Sequence, residues 1–461
     1  MNTAQIARML TRARLSTRMG EVTFDILAIV ALSVSSGMLL TTLGGVWMFH
    51  ERVPRVDAIT DMEYFGWVYF SFALFALALL IVPLLSLGAS ASQLGANGRA
   101  QRLASLRLVG MTSRQVVGVS LLESLIQTLI GFTVGMGLYL LTLPAWQAVE
   151  FTGMRIETAE MLLPWWGVLA ALGLQLVIST LATVFGLLKV SISPLGVARK
   201  TTPKALRWWR VLVLIGAVVL MWYLSKNWEP ENSTYTLIST FAIIIFFVMS
   251  ISIAGPFFLQ TLARPLTKTR SVSRLVAARR IVAYPRAAWR SIAAISLMML
   301  ISSLLIFGDI LRFDTDNTAT AGADGEFVFT TSVFFQDVYY GVIIALSFAL
   351  ILGAVSVLIH QTSDVIDRTD ESRALSWVGM PTKKFTISRI WQVFIPLIIM
   401  TAISVGLGVI PGLAQGSTPD VEAKMLLIGV IIAGFALTLL AVLFTAPIQR
   451  QVLAQHNRKN D

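Results

Sequence analysis

RLASLRLVGMTSRQV (residues 102–116) and ESRALSWVGMPTKKF (residues 371–385) lie 269 positions apart and read alike. Both carry Leu-x-x-Val-Gly-Met: Leu106, Val109, Gly110 and Met111 in the first, Leu375, Val378, Gly379 and Met380 in the second. Each follows a long apolar run and leads into another. Leu103, Leu106 and Val109 recur at i, i+3 and i+6, which places an apolar stripe along a helix, with Arg99, Arg102 and Arg107 elsewhere on its surface. Gly110 and Gly379 stand where each short helix would end and the chain would turn into the next apolar run.

The composition explains what surrounds these stretches. The 461 residues are 56% hydrophobic and only 13% charged, half the charged share of a soluble protein. Apolar residues gather in runs of about twenty or more, the length a helix needs to cross a hydrocarbon core. A soluble helical protein would need polar helix faces that these runs lack. The fold class expected is therefore an all-α polytopic membrane protein. Ten candidate spans fall near 24–48, 64–90, 116–142, 163–189, 211–225, 235–261, 291–311, 334–360, 387–411 and 425–447. The first twenty residues, with Arg8, Arg12, Arg14 and Arg18, read as an amphipathic surface helix and not as a cleaved signal peptide.

Charge gives the orientation. With the N-terminus inside, six basic residues fall in outer connections: Arg52, Arg55, Arg155, Lys226, Arg312 and Lys424. The other 30 of the 36 Lys and Arg face inward, as the positive-inside bias requires. Both termini are then cytoplasmic, and the formal charge of +11 is mostly apposed to anionic lipid, with no need of a nucleic-acid partner. Outer connections are short. The longest, around 313–332, carries Asp314, Asp316, Asp324 and Glu326 and is too short to fold as a domain.

The likeness of the two stretches extends outward at the same offset, where Glu123 falls on Gln392 and Gly137 on Gly406. Each half reads as entry segment, span, outer loop, span, basic inner helix, span, outer loop, span and exit. The exits SISPLGVARK (191–200) and FTAPIQRQVL (444–453) each place a proline just past a span. The expected organisation is a first four-span unit over 1–200, a two-span linker over 201–264 and a second four-span unit over 265–461. The two repeats would have parallel topology.

These residues resemble the FtsX-like permease family of ABC transporters, which includes MacB-type and bacitracin-exporter permeases. The resemblance rests on the basic inner segment 103–114, Glu123 and Gly131, Gly135 and Gly137 in the first half, and on 371–384 in the second. Ser193, Pro194 and Leu195 resemble the family's Ser-Pro exit, and Arg279, Arg280, Pro285, Arg286 and Arg290 its Arg-Pro-Arg entry to the second unit. Two departures stand out. Arg102 occupies a position where the family often has Glu, whereas Glu371 keeps the acid. The chain also lacks the large external domain that ten-span bacitracin-type permeases carry between spans seven and eight.

The resemblance implies that the two inner helices are coupling helices docked on a cytoplasmic ABC ATPase dimer. The docking residues would be Arg102, Leu103, Leu106, Arg107, Gly110, Met111, Glu371, Leu375, Trp377, Gly379 and Met380, with Trp377 as the largest apolar anchor. It implies a permease in a bacterial cytoplasmic membrane that exports, or releases laterally, an amphipathic peptide, drug or lipid. The alternative is a mechanical relay that drives a partner such as a sensor kinase.

No Gly-x-x-x-x-Gly-Lys-[Ser/Thr] loop occurs, so ATP and magnesium are expected on the partner and no cofactor on the chain itself. His50, His360 and His456 are far apart with no ligand spacing, and there are no cysteines. The chain reads as a transport subunit and not as an enzyme. Inside the spans, Glu123, Gln127, Gly131 and Gly135 share one face of the third span, where small residues permit close helix packing. Gln175 and Gln392 are read with them as intramembrane polar glue, and Pro256 and Pro396 as kinks.

Overall fold

The computed structural model describes residues 19–60, 65–108, 112–191, 208–227, 233–307, 331–414, 421–447 and 449. The described residues are almost wholly helical. In chain order the helices are α1 (Met19–Thr60), α2 (Phe65–Leu108), α3 (Ser113–Thr142), α4 (Trp165–Ser191), α5 (Trp209–Asn227) and α6 (Ser233–Ala263). They continue as α7 (Val272–Ala283), α8 (Pro285–Phe307), α9 (Thr331–Asp367), α10 (Thr369–Trp377), α11 (Thr382–Ala414) and α12 (Val421–Phe444). Each candidate span overlaps one of these helices. Seven stretches of the described helices are long and apolar enough to cross a membrane, and Trp209–Leu220 is a shorter apolar stretch. The chain is an all-α polytopic membrane protein.

Helices run further than the apolar runs do. α1 continues past its apolar run to Thr60, with Pro54 inside it. α2 is a single helix of 44 residues that contains Pro83 and carries the basic segment on its last turns. Pro256 lies within α6, and Pro396 within α11. Of the connection around 313–332, residues 313–330 lie outside the described residues, as do both chain ends, 1–18 and 450–461.

Two compact units are present. The first is Met1–Met48, Leu84–Ala148 and Ile156–Thr201. Its helices approach closely at glycines. A Cβ on Gly135 would lie 2.6 Å from the Ser33 carbonyl oxygen, and one on Gly131 would lie 2.6 Å from Leu32 Cβ. A buried hydroxyl cluster joins α2, α3 and α4: Ser179 Oγ lies 2.9 Å from Ser92 Oγ, 3.0 Å from Ser124 Oγ and 2.6 Å from Thr128 Oγ1. Thr183 adds a bond to Ser124 at 2.8 Å. In hydrocarbon such groups must find partners within the protein, so they fasten helices together.

The second unit is Phe49–Pro83, Val149–Arg155 and Thr202–Asp461. Within it α8 packs on α9 and α11, and α7 lies against α11. α7 buries Ser273, Ala277, Ala278 and Ile281, a helical stripe that seats it on its neighbours. Where α8 meets α9, the site of Gly353 is occupied by Ile295, whose Cγ1 lies 2.3 Å from where a Cβ would stand.

One element was not anticipated from the sequence. Glu150–Phe151 and Met154–Arg155 form an antiparallel hairpin, with Glu150 opposite Arg155. Its two turn residues, Thr152 at φ 54 and Gly153 at φ 70, are both left-handed. That pair of dihedrals matches the twist of a two-residue hairpin, and Gly153 adopts it without steric cost.

Candidate docking face and the polar network behind it

The two Leu-x-x-Val-Gly-Met stretches fold differently. In the first, Arg102, Leu103, Leu106 and Arg107 ride on the final turns of α2, continuous with the span. Gly110 and Met111 lie outside the described residues. The chain resumes at Thr112, whose Oγ1 accepts from the Gln115 backbone at 3.4 Å while Gln115 Oε1 accepts from the Thr112 backbone at 3.0 Å. This capping box starts α3. Its sequence signature is Thr-Ser-Arg-Gln, residues 112–115.

In the second stretch α9 stops at Asp367 and a separate nine-residue helix, α10, follows. The backbone N–H of Gly379 donates to Ser376 O at 3.0 Å, and that of Met380 donates to Leu375 O at 3.1 Å. These bonds satisfy carbonyls that the helix end leaves open. Gly379 adopts φ +90 with open space around it, so glycine is needed here for backbone conformation and not for room. The turn projects Trp377, 84% exposed, and Val378, 87% exposed. Leu375 and Met380 are half-buried at its base.

Glu371 faces inward from this knuckle. It accepts from Arg280 Nε at 3.2 Å and pairs with Arg368 Nη1 at 3.6 Å. Arg368 also pairs with Asp364, and its guanidinium lies 4.2 Å from the ring centre of Tyr284. Asp364 in turn accepts from Gln392 Nε2 at 2.9 Å. Deeper in, Arg389 donates to Gln361 O at 2.9 Å and to Gln449 Oε1 at 3.2 Å. Arg274 on α7 lies 4.3 Å from the ring centre of Trp391. Thus α7, α9, α10 and α11 are tied behind the exposed knuckle by charges that are largely withdrawn from water. Arg280 Nη2 is buried without a hydrogen-bond partner among the described residues.

Residues 70–195 match the family model for the FtsX-like permease C-terminal region. This segment is FtsX-like. No curated protein matches the chain. The FtsX-like segment takes in most of α2, the first inner stretch, α3, the hairpin and α4. The second inner stretch lies beyond it, and its likeness rests on the shared Leu-x-x-Val-Gly-Met pattern.

Within the FtsX-like segment, Glu123, Gln127 and Gln175 are all buried. Gln127 Nε2 donates to Asp25 Oδ1 at 2.7 Å. Gln175 lies over Gly88, where a Cβ would stand 2.9 Å from its Nε2, and that nitrogen has no hydrogen-bond partner among the described residues. Gly131 and Gly135 meet α1, as described above. Gln392 belongs to the Asp364 network and not to this seam. Among the described residues no three His, Asp or Glu side chains gather as a metal site.

Reading the sequence missed four buried polar residues at the hairpin end: Arg52, Tyr69, Thr152 and Asp337. One signal was available. Asp337 is an acid inside the apolar run TSVFFQDVYYGV, and an ionisable residue in such a run calls for a partner.

Proposed function

We propose that the chain is the permease subunit of an ABC-type system, with ten spans arranged as parallel repeats over 1–200 and 265–461 around a linker at 201–264. The observation that carries this is the FtsX-like match over 70–195. A separate ATPase dimer binds ATP and magnesium and docks on two cytoplasmic coupling segments: the end of α2 with Arg102, Leu103, Leu106 and Arg107, and the Gly379 knuckle. Trp377 and Val378 suit that contact because an apolar anchor gains most when a partner groove removes it from water. Closure of the ATPase draws the two segments together, and the helices carry the motion across a bacterial cytoplasmic membrane. The output is export or lateral release of an amphipathic peptide, drug or lipid.

Co-purification with candidate ABC ATPases tests the proposal. The pair Leu106→Glu and Trp377→Glu should abolish complex formation and the stimulation of ATP hydrolysis. Retention of both in the double variant sinks the docking claim. In lipid vesicles, ATP-dependent movement of a labelled cationic peptide or lipid supports transport. Stimulated hydrolysis without any movement favours a mechanical relay to a partner such as a sensor kinase.

A further inference from the structure

Asp337 sits in the second turn of α9 and is 6% exposed. One of its oxygens, Oδ2, accepts two hydrogen bonds. Tyr69 OH donates at 2.7 Å, and the backbone N–H of Thr152 donates at 2.8 Å. Tyr69 lies in the second turn of α2, and Thr152 forms the hairpin tip in its left-handed conformation. The hairpin is gripped from its other side. Arg52 of α1 donates Nη2 to Arg155 O at 2.7 Å and Nη1 to Met154 O at 3.5 Å. Four chain segments therefore converge on one carboxylate and one guanidinium.

Aromatic rings seal the site. Phe151 meets Phe49 edge-on at 5.2 Å, and Phe334 meets Tyr69 edge-on at 5.8 Å. Both groups bonded to Asp337 are neutral donors. A buried carboxylate held by neutral donors carries a desolvation cost that water repays once the contact opens.

α9 runs unbroken from Asp337 to Asp364, the acid bonded to Gln392 and paired with Arg368. At about 1.5 Å per residue the two acids lie roughly 40 Å apart on one stiff rod. A shift of the inner network moves the outer contact with it.

We infer that the Asp337–Tyr69–Thr152 contact is a releasable clasp, closed in this structure and opened by displacement of α9. The clasp rests on the permease reading only for what drives it. Its existence is testable on the chain alone.

The absence of native cysteine allows a clean test. Thr152→Cys places a thiol at a site that is 2% exposed in the closed clasp. The full-length variant in lipid nanodiscs, open to reagent on both faces, is labelled with a charged maleimide. Labelling should be slow. Tyr69→Phe, which keeps the ring and removes one bond, should speed it several-fold. Asp337→Ala should speed it at least tenfold, and adding Tyr69→Phe should give no further gain because both bonds end on the same oxygen. Unchanged labelling in Tyr69→Phe and in Asp337→Ala overturns the clasp. If Asp337→Ala does not fold, Tyr69→Phe decides alone. Adding the partner ATPase with ATP to the parent Thr152→Cys chain should also speed labelling. Failure of that arm alone, with the two substitutions behaving as expected, counts against the drive from ATP and leaves the clasp standing.

Discussion

Arg280 on α7 donates its Nε to Glu371 on α10 at 3.2 Å, across 91 residues of chain. The acid that sets the second inner stretch apart from Arg102 is engaged within the protein. Its carboxylate fixes the short helix that presents Trp377. Glu371 is 39% exposed while Arg280 is 9% exposed, so the two ends of the pair differ in cost. Glu371→Gln keeps an acceptor for Arg280 and should lower stability by about 1 kcal/mol or less, the range of open ion pairs. Arg280→Ala also removes buried stem packing and should cost more. Thermal unfolding of the two purified variants checks the order, and a larger loss in Glu371→Gln would contradict it.

Gly379 should resist replacement although nothing crowds it. At φ +90 an added Cβ is strained, at a cost of about 1–2 kcal/mol. Gly379→Ala should loosen the turn after α10, which limited proteolysis at Lys383 or Lys384 would report as faster cleavage. Gly406→Ala in α11, also without neighbours within 4 Å and at ordinary helical φ, should leave cleavage unchanged.

The glycines of α3 should separate into two kinds. Gly135→Ala drives a methyl to 2.6 Å from the Ser33 carbonyl, so α1 and α3 must move apart. The expected loss is about 1–3 kcal/mol. Gly137→Ala meets nothing within 4 Å and should be neutral or mildly stabilising. Comparing the melting temperatures of the two alanine variants checks this, and equal losses would argue against a close seam at Gly135.

Gln175 gives a test of polar glue against ligand binding. Its Nε2 is buried over Gly88 without a hydrogen-bond partner among the described residues. Gln175→Leu removes that amide, and the expected result is unchanged or higher stability, by up to about 1 kcal/mol. Under the proposed permease role, transport by the reconstituted complex should persist. A variant that is stable yet inactive would make Gln175 a substrate contact.

Much of the fold was legible because it depends on local pattern. Runs of apolar residues specify helices in a bilayer, since backbone groups there must be satisfied within the segment. Gly379 announced its turn because few residues adopt a left-handed backbone. The resemblance implied that Trp377 is an apolar anchor, and the structure leaves it 84% exposed; the Gly131/Gly135 spacing pointed to close helix packing, and both glycines meet α1. The inner stretches were harder. Both have Leu-x-x-Val-Gly-Met, yet one extends a 44-residue helix and the other forms a nine-residue helix of its own. The difference lies in what holds each one. Arg368, at the break between α9 and α10, is bound by its near neighbours Asp364 and Glu371 and lies over the ring of Tyr284, while Glu371 is held by Arg280; Tyr284 and Arg280 are partners that only the folded chain supplies.

By itself, then, the sequence determined that this chain is a helical membrane protein with two like Leu-x-x-Val-Gly-Met stretches, and that residues 70–195 are FtsX-like. Composition and spacing along one strand of residues suffice for that. Only the tertiary structure decided that Asp337 meets Tyr69 and Thr152, which lie 268 and 185 residues away. Period and hydropathy tell which residues are buried. They do not tell which helix stands opposite, and a hydrogen bond of 2.7 Å depends on that neighbour and its rotation.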